Sequence, residues 1–245
     1  MNKENQLPHL NTVLSPSLLN LYDLSNNIVV IIDVLRATST IATALYNGAR
    51  EIIPVESVAE CIKLGKQMDV ITAGERDGQI ADGLQYGNTP FQYDEDFIKD
   101  KILVLTTTNG TKLLHMALAA NAEEIVTGAF CNLSAVSNYL IKQNKNVTLA
   151  CAAWKNKINL EDTLLAGAII NNIKNNFSIN CDASSMAETL YQQAKGNLFE
   201  FMKSKNASHF HRLMGFGLEK DLQYCLTPDN ANVLCIYTNG RLVTA

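Results

Sequence analysis

The chain has 245 residues, of which 47% are apolar and 18% charged, and its formal net charge is -4. That length buries a sizeable core and the composition is that of a globular protein, which excludes a disordered chain. The weakly negative balance supplies no basic field, so no nucleic-acid partner is expected.

In chain order, Ile28-Val29-Val30-Ile31-Ile32 is a continuous β-branched run, the pattern of a strand buried on both faces. A helix is predicted from about Thr38 to Asn47, with Gly48 placed to end it. Glu51-Ile52-Ile53-Pro54-Val55 predicts a second strand, with Pro54 at an edge or an end. A helix from about Ser57 to Met68 leads to a strand at Asp69 to Thr72. A loop rich in Gly, Asp, Asn and Gln then runs from Gly74 to about Asp94, long enough to suggest function. Next come a strand at Ile102 to Leu105, a helix to about Ala120, a strand at Glu124 to Thr127 and a helix near Leu133 to Lys142. A strand at Val147 to Ala152 precedes a polar loop and a helix from about Leu160, and the Asn-rich residues 171–180 read as a break. The remainder is mostly helical until a hairpin, Val233 to Tyr237 and Leu242-Val243, turned by Asn239-Gly240. This alternation predicts an α/β fold, a mostly parallel sheet flanked by helices on both faces.

Met1-Asn2-Lys3-Glu4-Asn5-Gln6 lacks the apolar centre of a signal peptide. The six cysteines, at 61, 131, 151, 181, 225 and 235, show no C-x-x-C spacing. A reduced, cytoplasmic setting is therefore expected, with most thiols acting as small buried hydrophobes. The helical apolar patch Leu164 to Ile170 is too short to span a bilayer, which needs about 20 residues, so no membrane partner is expected.

Ligands of such sheets sit at the carboxyl ends of the strands, and four strand ends carry polar chemistry. The first is Asp33-Val34-Leu35-Arg36-Ala37-Thr38-Ser39-Thr40. A carboxylate directly after a buried strand needs a partner or a metal, and the hydroxyls of Thr38, Ser39 and Thr40 open a helix whose N–H groups favour an anion. An Asp33–Arg36 ion pair with a simple cap explains the same residues. The second, Gly74-Glu75-Arg76, repeats the carboxylate and guanidinium pairing; the alternative is a surface turn, with Asp77 and Asp82 as solvated turn residues. The third, Thr106-Thr107-Thr108-Asn109-Gly110-Thr111, offers hydroxyls, an amide and a glycine that permits close approach, or else merely caps a helix; it lacks Walker A spacing. The fourth, Asn159-Leu160-Glu161-Asp162, puts two acids in a first helical turn, where they complement the helix dipole or hold a hard divalent ion. Recurrence at successive strand ends is what points to phosphoryl transfer.

His209-Phe210-His211 reads as core or surface histidines, because i and i+2 diverge on a helix. Cys151 lacks a local Cys–His signature for a nucleophile. Trp154 fits either loop packing or a pocket wall.

At these motifs the chain resembles the 2-phosphosulfolactate phosphatase family. The matching stretches are Val30 to Thr40, Gly74-Glu75-Arg76, Gly87-Asn88-Thr89-Pro90, Thr107 to Thr111, Leu160-Glu161-Asp162 and Ala166-Gly167-Ala168, with a looser tail over His211, Leu213, Gly217, Asp221, Cys225 and Asp229. The resemblance implies a fold peculiar to that family and a Mg²⁺-dependent phosphatase that converts 2-phospho-3-sulfolactate to 3-sulfolactate on the way to coenzyme M. It makes Asp33, Glu75, Asn109 and Glu161 site residues, with Asp33 and Glu161 on the metal. It makes Arg36 and Arg76 oxyanion binders, alongside Thr38, Ser39, Thr40, Thr108, Gly110 and Thr111. It implies one phosphatase unit over 1–245, divisible near 176–184 into an α/β part and a mostly helical part. The partner is a small phosphorylated acid, and homo-oligomerisation is left open. Where relatives carry a Gly-containing loop ending in Phe-Ser, this chain has Ala153-Trp154-Lys155-Asn156-Lys157-Ile158-Asn159, and its tail ends in an Asn-Gly hairpin rather than a Val-Pro pattern. The alternatives are a phosphatase for another small phospho-acid and a non-catalytic anion binder on the same scaffold.

Overall fold

The computed structural model describes residues 7–245, so the expectation for Met1 to Gln6 lies outside the described residues. The first strand, β1 (Leu10–Val13), is an edge strand for which the sequence offers no long β-branched run. β2 (Asn27–Ile32) is buried throughout. Its side chains alternate between two cores: Ile28, Val30 and Ile32 enter one, Val29 and Ile31 the other. Period-2 alternation in an all-apolar run is what a strand covered on both faces requires.

The next elements are α1 (Ala37–Tyr46), β3 (Glu51–Pro54), α2 (Val58–Met68), β4 (Ile71–Arg76) and the two-residue β5 (Gln79–Ile80). The long polar loop expected from Gly74 is therefore shorter, because β4 runs on through Glu75 and Arg76 and turns back into β5. A single helical turn, α3 (Glu95–Ile98), precedes β6 (Ile102–Thr106), α4 (Gly110–Ala119), β7 (Glu124–Gly128), α5 (Leu133–Gln143), β8 (Asn146–Cys151) and α6 (Leu160–Ile173). Four helices follow: α7 (Asp182–Ala194), α8 (Leu198–Ser204), α9 (Ser208–Gly215) and α10 (Glu219–Cys225). The hairpin β9 (Cys235–Thr238) and β10 (Arg241–Thr244) closes the chain. Asn239 and Gly240 both take positive φ, 50° and 83°, as a tight hairpin turn demands.

The strands form one sheet in the order β1-β8-β2-β7-β9-β10-β3-β6-β4-β5. It is mostly parallel and flanked by helices, as expected. β1-β8-β2-β7 and β3-β6-β4 are parallel blocks, and the terminal hairpin sits between them, antiparallel to both neighbours. The two blocks consequently run in opposite senses. Strand twist of roughly 20–25° per step, over the five steps from β2 to β6, turns one against the other by roughly 100–125°. The carboxyl ends of β2 and β6 still meet: a Cβ on Gly110 would lie 2.9 Å from Asp33 Oδ2.

Among the described residues no helix is long and apolar enough to cross a membrane. The six cysteines are free, and five of them are buried.

The side of the sheet that holds α6 depends on close contact with α7. A Cβ on Gly167 would lie 2.0 Å from the Ala187 carbonyl oxygen and 2.8 Å from Tyr191 Cβ. Gly167→Ala is expected to destabilise by about 1–3 kcal/mol through overpacking, seen as a lower urea midpoint with an unchanged slope.

Candidate active site

Asp33 follows β2 and is 8% exposed. The start of α1 folds around it. Ala37 N–H donates to Asp33 Oδ1 at 3.4 Å, and Thr38 N–H donates to the Asp33 carbonyl at 2.9 Å. The Thr38 hydroxyl donates to the same carbonyl at 2.8 Å and accepts the Asp33 N–H at 3.2 Å. The Ser39 hydroxyl donates to the Val34 carbonyl at 2.8 Å, while Thr40 Oγ1 is buried with no partner. Thr38 and Ser39, expected at phosphate oxygens, hold this turn instead. Arg36 is paired with Asp221 on α10, with its other nitrogen 3.5 Å from the Gly78 carbonyl, so the local Asp33–Arg36 pair does not form.

Glu75 bridges two loops. Its Oε2 accepts the Gly78 N–H at 2.9 Å and its Oε1 accepts the Thr108 N–H at 2.8 Å. Arg76 turns elsewhere: it donates to the Glu75 carbonyl at 2.7 Å and to Thr106 Oγ1 at 3.0 Å, and lines a separate hollow with Gln79 and Asp82. Thr107 and Thr111 cap α4, Thr111 N–H donating to Thr107 Oγ1 and Thr107 N–H to Thr111 Oγ1, both at 3.1 Å. Thr108 and Asn109 line the crevice beside Asp33, and Thr108 Oγ1 is buried without a partner.

At the start of α6 the two acids diverge. Asp162 Oδ1 accepts the Val34 N–H at 2.9 Å and Oδ2 accepts the Ala153 N–H at 3.0 Å. Glu161 is fully buried; its Oε1 lies 2.6 Å from His209 Nδ1, and its Oε2 has no partner. The His209 ring lies parallel to Trp154, with centroids 5.6 Å apart. Trp154 is therefore a wall of the crevice, and His209 is a site residue rather than a plain core or surface histidine. His211 departs to the Lys203 carbonyl at 3.3 Å. The useful spacing was His209 to Arg212, because i and i+3 share a helix face and both line the crevice. Asn88, from the Gly-Asn-Thr-Pro stretch, also lines it, with Oδ1 buried and unpartnered.

Burial pushes the Asp33 carboxyl up to about 7, and the charges of Glu75 and Glu161 add to that while His209 and the Ala37 N–H oppose it. Burial likewise pushes Asp162 up, with Glu161 and Asp33 adding, against its bond from Val34 N–H. Among the described residues no three His, Cys, Asp or Glu side chains close into a ready ligand group. Mg²⁺ requires less, since it takes one or two carboxylates and completes its shell with water and substrate phosphate. An unpartnered Glu161 Oε2 and an Asp33 carboxylate with a single long hydrogen bond, 3.4 Å, fit that ion.

A family model described as 2-phosphosulpholactate phosphatase matches residues 13–240. A protein of Caldanaerobacter subterraneus subsp. tengcongensis is 40% identical over 227 residues, covering 91% of this chain and 92% of that one. One of Thermotoga petrophila is 41% identical over 214 residues, 87% of this chain and 90% of that one. One of Clostridium acetobutylicum is 35% identical over 222 residues, 89% of this chain and 92% of that one. Each of the three bears the name "Probable 2-phosphosulfolactate phosphatase".

The Asp33 shift has a measurable sign. Between its ordinary value of 3.8 and about 7, the folded state holds a proton that the unfolded state has lost. Stability therefore falls as pH rises through that window, and the full penalty is present above it. In metal-free protein at pH 8, Asp33→Asn is expected to be more stable than wild type by about 1–3 kcal/mol. Denaturant titrations across the window should show the gap closing towards pH 4.

Proposed function

The chain belongs to the 2-phosphosulfolactate phosphatase family, and from that premise we propose that it hydrolyses 2-phospho-3-sulfolactate to 3-sulfolactate and phosphate with the help of Mg²⁺. The observation that carries the metal and the chemistry is the uncompensated acid at the strand ends: Glu161 Oε2 without a partner, beside an Asp33 carboxyl pushed up to about 7. A substrate with about four negative charges near neutral pH is repelled by such carboxylates unless positive charge lies between them.

Asp33 and Glu161 would hold the ion, with Glu75 nearby. When bound, Mg²⁺ supplies the charge that neutralises phosphoryl oxygens as the ester bond breaks. The Thr108 hydroxyl, the Asn109 amide and the Gly110 N–H that opens α4 would offer hydrogen-bond donors to those oxygens. Gly110 lets that helix start approach Asp33. His209, held through Nδ1 by Glu161, exchanges a proton at Nε2 with the leaving oxygen or the attacking water. Glu75 positions the loop that carries Thr108. Arg36 closes the crevice by tying α10 to the Asp33 loop. The six thiols suit a reducing compartment, and we read the protein as cytoplasmic.

Phosphate release from 2-phosphosulfolactate tests this reading. Activity should appear with Mg²⁺ and vanish with a chelator. Asp33→Asn and Glu161→Gln should each lower kcat by more than roughly 100-fold with the fold retained. Turnover at wild-type rates in Asp33→Asn would remove that residue from the site. Rapid acid quench with labelled substrate assigns the nucleophile: a base-labile protein adduct assigns Asp33, and its absence assigns water.

A further inference from the structure

We propose, resting on the phosphatase reading above, that Arg212 and its indole platform Trp154 form a second anion subsite that reads the sulfonate of the substrate.

The substrate class carries three acidic groups, and among the described residues two arginines line the crevice, Arg36 and Arg212. Arg36 is committed to the protein. It is 6% exposed, paired with Asp221 and in contact with the Gly78 carbonyl. Arg212 is differently placed. Its side chain is 22% exposed, and its guanidinium carbon lies 5.0 Å from the Trp154 ring centre and 5.3 Å from that of Phe216. Among the described residues its side chain makes one hydrogen bond, from Nη2 to the Asp77 carbonyl. A guanidinium has five N–H donors, so most of its donor capacity faces no protein acceptor.

The Asp77 carboxylate does not use that capacity up. It lies 3.7 Å from Arg212, is 72% exposed and is shared with Lys155 at 3.1 Å. Exposed pairs of this kind contribute little and yield readily to a better anion. The guanidinium is flat, weakly hydrated and preorganised on aromatic faces, so contact with a diffuse, tetrahedral oxyanion costs it little water and little rotamer freedom.

Connectivity favours the sulfonate over the carboxylate. Both groups branch from the carbon that bears the phosphate ester, but the sulfonate oxygens lie one bond farther out. His209 and Arg212 share the Trp154 ring, and His209 is fastened inward to buried Glu161. Arg212, one helical turn on, marks the outward end of the same wall. Lys155 Nζ, 5.3 Å from the indole centre, adds positive charge at that rim.

The test compares wild type, Arg212→Gln and Arg212→Lys with two substrates, 2-phosphosulfolactate and the same phospho-acid lacking the sulfonate. The reading is the ratio of the two kcat/KM values. Arg212→Gln should lower that preference by at least roughly tenfold, mainly through KM for the sulfonate substrate. Arg212→Lys, a point charge without the fork, should fall between. Calorimetric binding of 3-sulfolactate and of lactate to the same proteins gives a readout independent of turnover, and the preference for sulfolactate should be lost in Arg212→Gln. An unchanged ratio, or equal losses on both substrates, overturns the subsite. If wild type hydrolyses neither substrate yet prefers sulfolactate through Arg212, the reaction assignment fails and the subsite stands. Should Arg212→Gln not fold, the Arg212→Lys ratio decides alone: no change from wild type overturns the proposal.

Discussion

The carboxylate of Asp162 accepts one backbone N–H from each of two neighbouring strand ends, Val34 after β2 and Ala153 after β8. The strands are paired in register with Ile32 opposite Cys151, so both donors lie two residues beyond that pair. One side chain at the first turn of a buried helix thus fixes where both chains go as they leave the sheet. Both oxygens accept an N–H at a helix N-terminus, which lessens the cost of burying the carboxyl, although burial still pushes it up. Asp33 precedes one anchored residue and Trp154 follows the other. Glu161, the preceding residue on α6, takes a different direction and meets His209. The acidic end of the crevice and its aromatic wall are therefore both set by one side chain bonded to backbone.

The second constraint is closeness. The start of α4 passes Asp33 at a distance that leaves no room for a side chain at Gly110, where even a Cβ would sit 3.0 Å from that of Ala37. Glu75 then ties the loop ahead of α4 to the turn after β4. Strand ends from two oppositely running blocks meet in one crevice, and within each block a carboxylate ties the ends together through backbone N–H groups. Several of the acids that define the site serve as its scaffolding as well.

Local pattern was a good guide wherever the cause was local. The buried run of β2, the alternation of strands and helices, the Asn-Gly hairpin and the four polar strand ends can all be read from neighbouring residues. What escaped was decided across the chain. Arg36 and Asp221 are 185 positions apart, and nothing near Arg36 forecasts that partner over Asp33. The direction of Arg76 depends on Thr106 in an adjacent strand. The terminal hairpin shows its turn in its sequence but not its place between two parallel blocks, which rests on pairing with β7 and β3. His209 and Arg212 lie on an eight-residue helix, too short to give a clear periodic signal, and only tertiary packing turns that face to the crevice. β1 has four residues and joins the sheet through β8, which is far away in sequence.

The wall made by Trp154, His209 and Arg212 is assembled from a loop and a short helix, whereas the acids rise from the ends of the central strands and from α6. On the proposed reading, the short helix serves both ends of the crevice: His209 faces the acids, and Arg212, one turn on, faces the rim beside Trp154. If that reading holds, substitutions at Trp154 and Arg212 alter what the crevice accepts while the strand ends and His209 keep what it does. A lineage exploring new phospho-acids would be expected to vary first at the rim positions that Trp154 and Arg212 occupy, and two members with the same acids need not share a substrate.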